Sequence, residues 1–219
     1  STLMRSSAAS DVYKRQVING AGAAGISIGK YLLDLGAKNV IWCDRKGVIV
    51  EGQEGINAAQ AELPKISNPN KVTGLLSDAL VDADIFIGVS APNIVSKDMI
   101  RSMADKAIVF PLANPVPEIS HDDAIEAGAY IIGTGSSKYP NQINNVLVFP
   151  GIFRGALDAG AKDINREMMI AASKAIAESI PEDKLSPENI IPLAFDESVH
   201  KKVAEKVAEA ARASGVARK

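Results

Sequence analysis

The segment Gly20-Ala21-Gly22-Ala23-Ala24-Gly25 constrains the fold of this chain more than any other feature. It follows a short apolar run and precedes an amphipathic pattern that ends before Gly36. In such a turn the first glycine permits a tight bend, the second lets a ligand approach the backbone, and the third lets the helix pack on the strand. The following helix would offer free N–H groups to phosphates. The segment therefore predicts a strand, a turn and a helix that hold a dinucleotide pyrophosphate.

The rest of the chain alternates between short apolar runs and helical patterns. Strands are predicted at residues 17–19, 39–43, 84–89, 107–112 and 129–133. Helices are predicted between them at 23–35, 55–63, 75–80, 96–103 and 122–127, and after them at 144–159, 165–180 and 195–214. Such alternation implies right-handed crossovers and a parallel sheet. We predict an α/β fold with a Rossmann-type, doubly wound parallel sheet followed by C-terminal helices.

Composition excludes several classes of partner. The net charge is −2 and there is no long basic run, which argues against nucleic acid and anionic membranes. The longest apolar runs, such as 85–89, are too short to span a bilayer. Cys43 is the only cysteine, so no internal disulfide forms. We expect a protein of the reducing cytoplasm.

Residues 1–16 differ from the rest of the chain and are interpreted as a foreign or truncated leader, which we expect to be disordered. A buried first strand should be an almost continuous apolar run, yet Lys14, Arg15 and Gln16 stand where its first half belongs. The domain is therefore placed at 17–219. A longer parent reading frame with apolar residues upstream of Val17 would support this interpretation, and its absence would contradict it.

An acidic residue, Asp44, follows the second predicted strand. A carboxylate there can accept hydrogen bonds from the adenosine ribose hydroxyls and would repel a 2′-phosphate, which favours NAD. Arg45 and Lys46 are able to meet such a phosphate, so NADP remains the alternative. The competing interpretation is a turn whose glycines only pack, with Asp44 as a surface acid; the strand, the spacing and the acid together favour a cofactor site.

Asparagines stand out in two further segments. Asn114 follows a predicted strand, at the sheet edge where ligands bind in open α/β folds. Asn144 and Asn145 stand at the head of a predicted helix. Each amide can grip a carboxamide, hydroxyl or carboxylate without adding charge. Turn formation at Asn114 and helix capping at the pair are the alternatives, and spacing does not decide between them.

Residues 17 to about 207 resemble the NAD(P)-binding domain of malic enzymes, particularly the short bacterial form. The matching stretches are VINGAGAAGISI, CDRKGVI, DIFIGVS, FPLANPVPEI, GTGSSKYPNQINNVLVFPGIFRGAL and IIPLAFD. These enzymes convert L-malate to pyruvate and CO₂, with NAD or NADP and with Mg²⁺ or Mn²⁺. By resemblance, cofactor contacts come from Gly20 to Gly25, Asp44, Arg45, Val89, Ser90, Asn114 and Asn144. The substrate contacts so implied are Asn114, Asn144 and Asn145.

The same resemblance implies that the family's catalytic Tyr and Lys and its Glu and Asp metal ligands lie upstream of the glycine turn. Asp11, Tyr13 and Lys14 lack the matching context and receive no catalytic or metal role. We expect that this chain alone does not decarboxylate malate, and that the intact enzyme is a homo-oligomer. Two alternatives stay open: a Rossmann dehydrogenase of another kind, and a nucleotide-sensing module without chemistry.

Overall fold

A computed structural model describes residues 14–218 and divides them into two compact units. The sheet unit spans 14–134 and the helical unit spans 135–218. The leader, residues 1–16, is expected to be disordered. Residues 1–13 of it lie outside the described part of the chain.

The sheet unit follows the predicted alternation. Its strands are β1 (Arg15–Asn19), β2 (Asn39–Asp44), β3 (Gly47–Val48), β4 (Ile85–Gly88), β5 (Ile108–Pro111) and β6 (Ile131–Ile132). Its helices are α1 (Ala23–Asp34), α2 (Ala58–Ala61), α3 (Leu63–Ile66), α4 (Leu76–Leu80), α5 (Lys97–Arg101) and α6 (His121–Glu126).

The six strands form one sheet in the order β3-β2-β1-β4-β5-β6. All neighbours are parallel except β2 and β3, and β1 lies between β2 and β4, with Val17 opposite both Ile41 and Phe86. The chain thus winds outward from β1 in both directions, which confirms the predicted doubly wound fold. The antiparallel β3 was not predicted, because a strand of two residues leaves no periodicity to detect.

The first strand begins at Arg15, before the predicted start at Val17. Arg15 and Gln16 pair with Asn39 and Val40 of β2, since backbone pairing does not depend on side-chain polarity. Gln16 is only 2% exposed, and no hydrogen bond reaches its Oε1 from any residue between 14 and 218. The polar start of β1 is therefore accommodated in the sheet with an unsatisfied buried acceptor.

Two predicted helices are each divided in the structure. The helix predicted at 55–63 becomes α2 and α3, with Pro64 in the first turn of α3. The helix predicted at 144–159 begins as a 3₁₀ turn at Asn145–Leu147, and an α-helix follows from Phe149, with Pro150 in its first turn. Proline lacks an N–H to donate and suits only the first turn of a helix, so a new helix starts at each position.

The core of the sheet unit consists of the apolar strands and the helices that cover them. Val17, Ile41, Phe86 and Val109, from four neighbouring strands, are all fully buried in one cluster. Strands buried on both faces are expected in a parallel sheet covered by helices. This core fixes the carboxyl ends of the strands, where the candidate site lies.

The helical unit contains α7 (Phe149–Asp158), α8 (Arg166–Ala177), α9 (Glu197–Ala213) and a second 3₁₀ turn at Glu182–Lys184. Val199, Val203 and Val207 form the predicted apolar stripe of α9 and are buried. A β-carbon on Gly151 would lie 2.7 Å from the Val203 side chain, so α7 and α9 approach closely. Within residues 14–218, no helix has both the length and the apolar character needed to cross a membrane.

Candidate functional site

The glycine turn joins β1 to α1 at the carboxyl edge of the sheet. Gly20 has a φ of 113°, which favours glycine, and its N–H donates to the Cys43 carbonyl at 2.9 Å. A β-carbon on Gly20 would lie 2.5 Å from the Val89 carbonyl oxygen, and one on Gly25 would collide with the Gly20 carbonyl. Two glycines of the turn are thus required by close packing between β1, β4 and α1.

Gly22 has a different environment. A β-carbon there would meet no atom within 4 Å among residues 14–218, its chain neighbours and the backbone of its own helix aside. Gly22 is also the N-cap of α1, and as a glycine it has no side chain to accept a hydrogen bond from the first helical turn. Ala23 and Ala24, which follow it, are exposed. The helix N-terminus therefore presents N–H groups and a partial positive charge to open space, which is an arrangement suited to an anion such as a pyrophosphate.

Trp42 of β2 supports α1 from beneath. Its indole N–H donates to the Gly25 carbonyl at 2.9 Å, and a β-carbon on Gly29 would collide with its ring. Trp42 is the only tryptophan of the chain and is buried. It holds the first two turns of α1 against the sheet, so the orientation of the phosphate-facing helix end depends on this contact.

A cavity of about 650 Å³ opens above the turn, within the sheet unit. The predicted cofactor residues that line it are Gly20, Ala21, Gly22, Asp44, Arg45 and Ser90. The residues of the lining that sequence reasoning missed are Asn19, Gly47, Asn57, Gln60, Leu75, Leu76, Ser77, Ala91, Ile94 and Met99. The volume lies within the range of small-molecule pockets.

Asp44 lies at the end of β2 and is half-buried. Its Oδ1 accepts a hydrogen bond from the backbone N–H of Lys46 at 2.7 Å, which orients the carboxylate. Arg45 lines the same cavity, whereas the Lys46 ammonium donates to the Glu54 carbonyl at 3.3 Å. Of the two cations that compete with an NAD assignment, only Arg45 therefore lines the cavity.

Gln60 contributes a contact that the sequence did not suggest. Its Nε2 donates to the Ala21 carbonyl at 3.1 Å, which ties α2 to the glycine turn. The same side chain forms a reciprocal capping box with Asn57: each side-chain oxygen accepts from the other residue's backbone N–H at 3.0 Å. The N-x-x-Q spacing in the sequence is a signal for the capping box, but it does not predict the contact with the distant glycine turn.

The loop after β4 is joined to the end of β1. The Val89 N–H donates to the Asn19 carbonyl at 2.9 Å, and the Asn19 side chain donates to the Ser90 hydroxyl at 2.7 Å. Asn19 is buried, and among the described residues its side-chain amide donates only to the Ser90 hydroxyl. Ser90 is therefore held at the cavity wall, and its contact with a cofactor stays a prediction.

Asn114 is exposed in the loop after β5 and does not belong to the cavity lining. Its amide nitrogen donates to the Leu112 carbonyl at 3.3 Å, within its own loop. The Asn114–Pro115 peptide bond is cis. Asn114 thus has the local turn role that the sequence left open, whereas its contact with a ligand stays a prediction.

Asn144 and Asn145 belong to the helical unit. The Asn144 side chain accepts from the Val146 N–H at 3.0 Å and caps the 3₁₀ turn, whereas Asn145 is exposed. Their neighbour Asn141 was not singled out, yet it is the buried one. It donates to the Pro187 carbonyl at 2.8 Å and accepts from the Ile190 N–H at 2.9 Å. Capping is realised at Asn144, and ligand contacts of the pair stay predictions.

Among residues 14–218, no cluster of three or more His, Cys, Asp or Glu side chains has an arrangement that could hold a metal ion. The described residues therefore do not fit a divalent cation, and no step is assigned to one.

One family of known proteins matches nearly the whole chain. Residues 4–212 match the family described as "Malic enzyme, NAD binding domain". The chain belongs to the malic enzyme family. This match rules out one of the two alternatives left open by the sequence, a Rossmann dehydrogenase of another kind.

Malic enzymes from several organisms are similar over most of this length. The bifunctional malic/malolactic enzyme of Bacillus subtilis is 53% identical over 203 residues, which are 92% of this chain and 50% of that protein. The NADP-dependent malic enzyme of Escherichia coli is 43% identical over 93% of this chain and 29% of its own length. The Entamoeba histolytica malic enzyme structure superposes with a TM-score of 0.90 at 38% identity, over 99% of this chain and 46% of that one. The chain thus spans half or less of these relatives.

Proposed function

We propose that this chain binds NAD as the cofactor half of a malic enzyme, which oxidises L-malate and releases pyruvate and CO₂. The observation that carries the proposal is the cavity above the glycine turn, which places an open helix N-terminus beside the Asp44 carboxylate. When bound, NAD supplies the hydride acceptor for the oxidation. The residues around the cavity bind and orient that cofactor.

The sheet order supports an arrangement for the dinucleotide. The pyrophosphate would lie at the Gly22 end of α1, and the adenosine ribose would meet Asp44 at the end of β2. Because β1 lies between β2 and β4, the other half of the dinucleotide would extend toward Val89 and Ser90 after β4. Binding at the point where the winding direction changes is the general rule for open α/β sheets.

The choice of NAD over NADP rests on Asp44. Its carboxylate is held at the cavity wall by the Lys46 N–H, where it can accept from ribose hydroxyls and would repel a 2′-phosphate. Arg45 opposes this preference because it lines the same cavity. Both cofactor types occur among the relatives, which include an NAD-dependent enzyme of Geobacillus stearothermophilus and the NADP-dependent enzyme of Escherichia coli. The carboxylate contact is therefore the feature to test.

The test is a titration of the chain with NADH and NADPH, before and after the change Asp44→Asn. We expect wild-type protein to bind NADH at least tenfold more tightly, and Asp44→Asn to lose most of that preference, since the amide removes the repulsion of a 2′-phosphate. Asp105→Asn is the matched control, because Asp105 is exposed and does not line the cavity. Equal affinity for both cofactors in wild-type protein would contradict the assignment of NAD.

The proposal for the complete enzyme extends beyond the described residues. Substrate contacts are assigned to Asn114, Asn144 and Asn145 on the resemblance alone, and Mg²⁺ or Mn²⁺ would be held by ligands outside residues 14–218. The expected cytoplasmic location rests on the lack of any disulfide partner for Cys43, and the homo-oligomer rests on the resemblance. Malate turnover by the purified chain alone would refute the assignment of the catalytic groups to another part of the enzyme.

A further inference from the structure

One buried carboxylate has no part in the function proposed so far. Glu118 lies in the loop between β5 and α6 and is 0% exposed; no other acidic side chain among residues 14–218 is buried. No lysine, arginine or histidine in that range forms an ion pair with it. Burial of a carboxylate without a cation is costly unless hydrogen bonds to it compensate.

Those hydrogen bonds come from two different loops. Oε1 accepts from the Ser90 backbone N–H at 2.9 Å and from the Ser90 hydroxyl at 3.4 Å. Oε2 accepts from the Ala113 N–H at 3.0 Å. Ser90 follows β4 and Ala113 follows β5, so a single carboxylate bridges the loops that leave two neighbouring strands.

The sheet itself provides space for this bridge at Gly88, the last residue of β4. A β-carbon there would lie 2.6 and 2.7 Å from the two carboxylate oxygens of Glu118. The backbone around Glu118 is also fixed, since its carbonyl accepts from the Val95 N–H at 3.0 Å. The lack of a side chain at residue 88 leaves room for the carboxylate over the strand end. The hydrogen bond from the Val95 N–H fixes the backbone that carries it.

The bridge continues to β1 through Ser90. The Ser90 hydroxyl accepts from the Asn19 amide at 2.7 Å and faces the Glu118 carboxylate. Asn19, Ser90 and Glu118 therefore link the carboxyl ends of β1 and β4 to the loop after β5. Asn19 and Ser90 both line the cavity, while Glu118 lies behind them and does not.

We propose that Glu118 is a positioning residue for the half of the cofactor that extends away from Asp44. It sets the distance between the loops after β4 and β5, and thereby the places of Ser90 and Asn114. This inference rests on the proposed NAD function. Among the described residues, the side-chain hydrogen bonds of the bridge join Asn19, Ser90, Ala113 and Glu118, and none of them reaches β2 or Asp44. The two ends of the dinucleotide should therefore respond differently when the bridge is removed.

The experiment compares NADH with ADP, which carries adenosine and two phosphates but no nicotinamide half, in Glu118→Gln and wild-type protein. A glutamine offers one acceptor oxygen in place of two, and its NH₂ group would face a backbone N–H. We expect the Kd for NADH to rise about tenfold or more while the Kd for ADP changes less than twofold. Glu126→Gln is the matched control, because Glu126 is exposed and makes only a surface ion pair with Lys97.

A second variant covers the case in which Glu118→Gln does not fold. Glu118→Asp keeps the charge but shortens the side chain, so its oxygens cannot bridge both loops as closely, and we expect a smaller loss with the same selectivity for NADH. Equal losses of NADH and ADP affinity would overturn the inference and leave Glu118 a purely structural role, and wild-type affinity for NADH in a folded variant would overturn it too. Failure of wild-type protein to bind NADH would instead refute the proposed function.

Discussion

Three polar side chains near the carboxyl edge of the sheet make different contacts from two that stand at the start of elements in the helical unit. In the sheet unit, Asn19 and Gln60 form hydrogen bonds to residues far away in the sequence and line the candidate cavity, and Glu118 forms such bonds outside the lining. In the helical unit, Asn144 and Asp196 bind backbone N–H groups two residues on, at the start of their own elements. A polar side chain that joins separate elements can shape a site, whereas one that makes only a capping bond is explained by the cap.

Two asparagines of the helical unit also join separate elements: Asn141, and Asn165, which donates to the Ser214 hydroxyl at 2.8 Å. Asn141 is buried and bridges to Pro187 and Ile190, yet its bonds connect loops and it is not part of the lining of the cavity above the glycine turn. Bridging is therefore necessary for the sheet-unit site but does not by itself mark one. The distinguishing feature is the open space beside Gly22.

The largest effect is expected for Gly25→Ala. The added methyl group would collide with the Gly20 carbonyl, so the turn and α1 must separate. We expect a loss of about 3 kcal/mol in the free energy of unfolding and no measurable NADH binding. Chemical denaturation followed by Trp42 fluorescence measures the first, and NADH titration measures the second. Unchanged stability would mean that the turn does not pack as described.

The losses of stability on replacing Asn141, Asn144 and Asn145 by alanine should follow the number of hydrogen bonds that each side chain forms. Asn141→Ala removes two hydrogen bonds that a buried side chain makes to the backbone, for an expected loss of about 2 kcal/mol. Asn144→Ala removes one cap, for about 1 kcal/mol, and the exposed Asn145→Ala should stay within about 0.5 kcal/mol of wild type. Urea denaturation of the three variants measures the order; a larger effect at Asn145 than at Asn141 would contradict the structure.

A stabilising change is expected at the polar start of β1. Gln16→Val removes the buried Oε1 that lacks a hydrogen-bond donor and adds a β-branched side chain to a buried strand. We expect a gain of about 1 kcal/mol in the free energy of unfolding. The control is Lys30→Val at an exposed position of α1, where no gain should follow. Loss of stability in Gln16→Val would show that the glutamine is properly satisfied.

The smallest effect concerns pH. Burial, with a smaller contribution from Asp44, raises the pKa of the Cys43 thiol from 9.0 to about 12. As the pH rises, the Cys43 thiol therefore loses its proton in the unfolded chain before it does so in the folded one. The contribution of this thiol to the free energy of unfolding is intact below pH 9 and falls as the pH rises toward 12. We expect Cys43 to account for about 1 kcal/mol of the stability lost between pH 8 and pH 10, a slope absent in Cys43→Ala. Identical pH slopes in the two proteins would contradict the burial of this thiol.

Much of the fold could be predicted because the decisive signals are local. The apolar runs at β2, β4 and β5, the glycine turn and the stripe of α9 each lie within a few residues of sequence. Glu118 and Gln60 could not be recognised, because the groups that bind them, at residues 90, 113 and 21, are adjacent only in the folded sheet. The start of β1 was misplaced for the opposite reason: β2 pairs with its backbone whatever the side chains.

The central claim is that the open space at Gly22 holds the pyrophosphate of NAD, and one titration tests it. NADH is added to wild-type protein and to Gly22→Ala, and binding is followed by energy transfer from Trp42, the only tryptophan. Since the added methyl group at residue 22 collides with nothing in the described part of the chain, the variant should unfold at the same urea concentration as wild type. We predict saturable NADH binding to wild-type protein and at least a tenfold weaker Kd in Gly22→Ala. Equal Kd values in the two folded proteins, or no binding to either, would contradict the account.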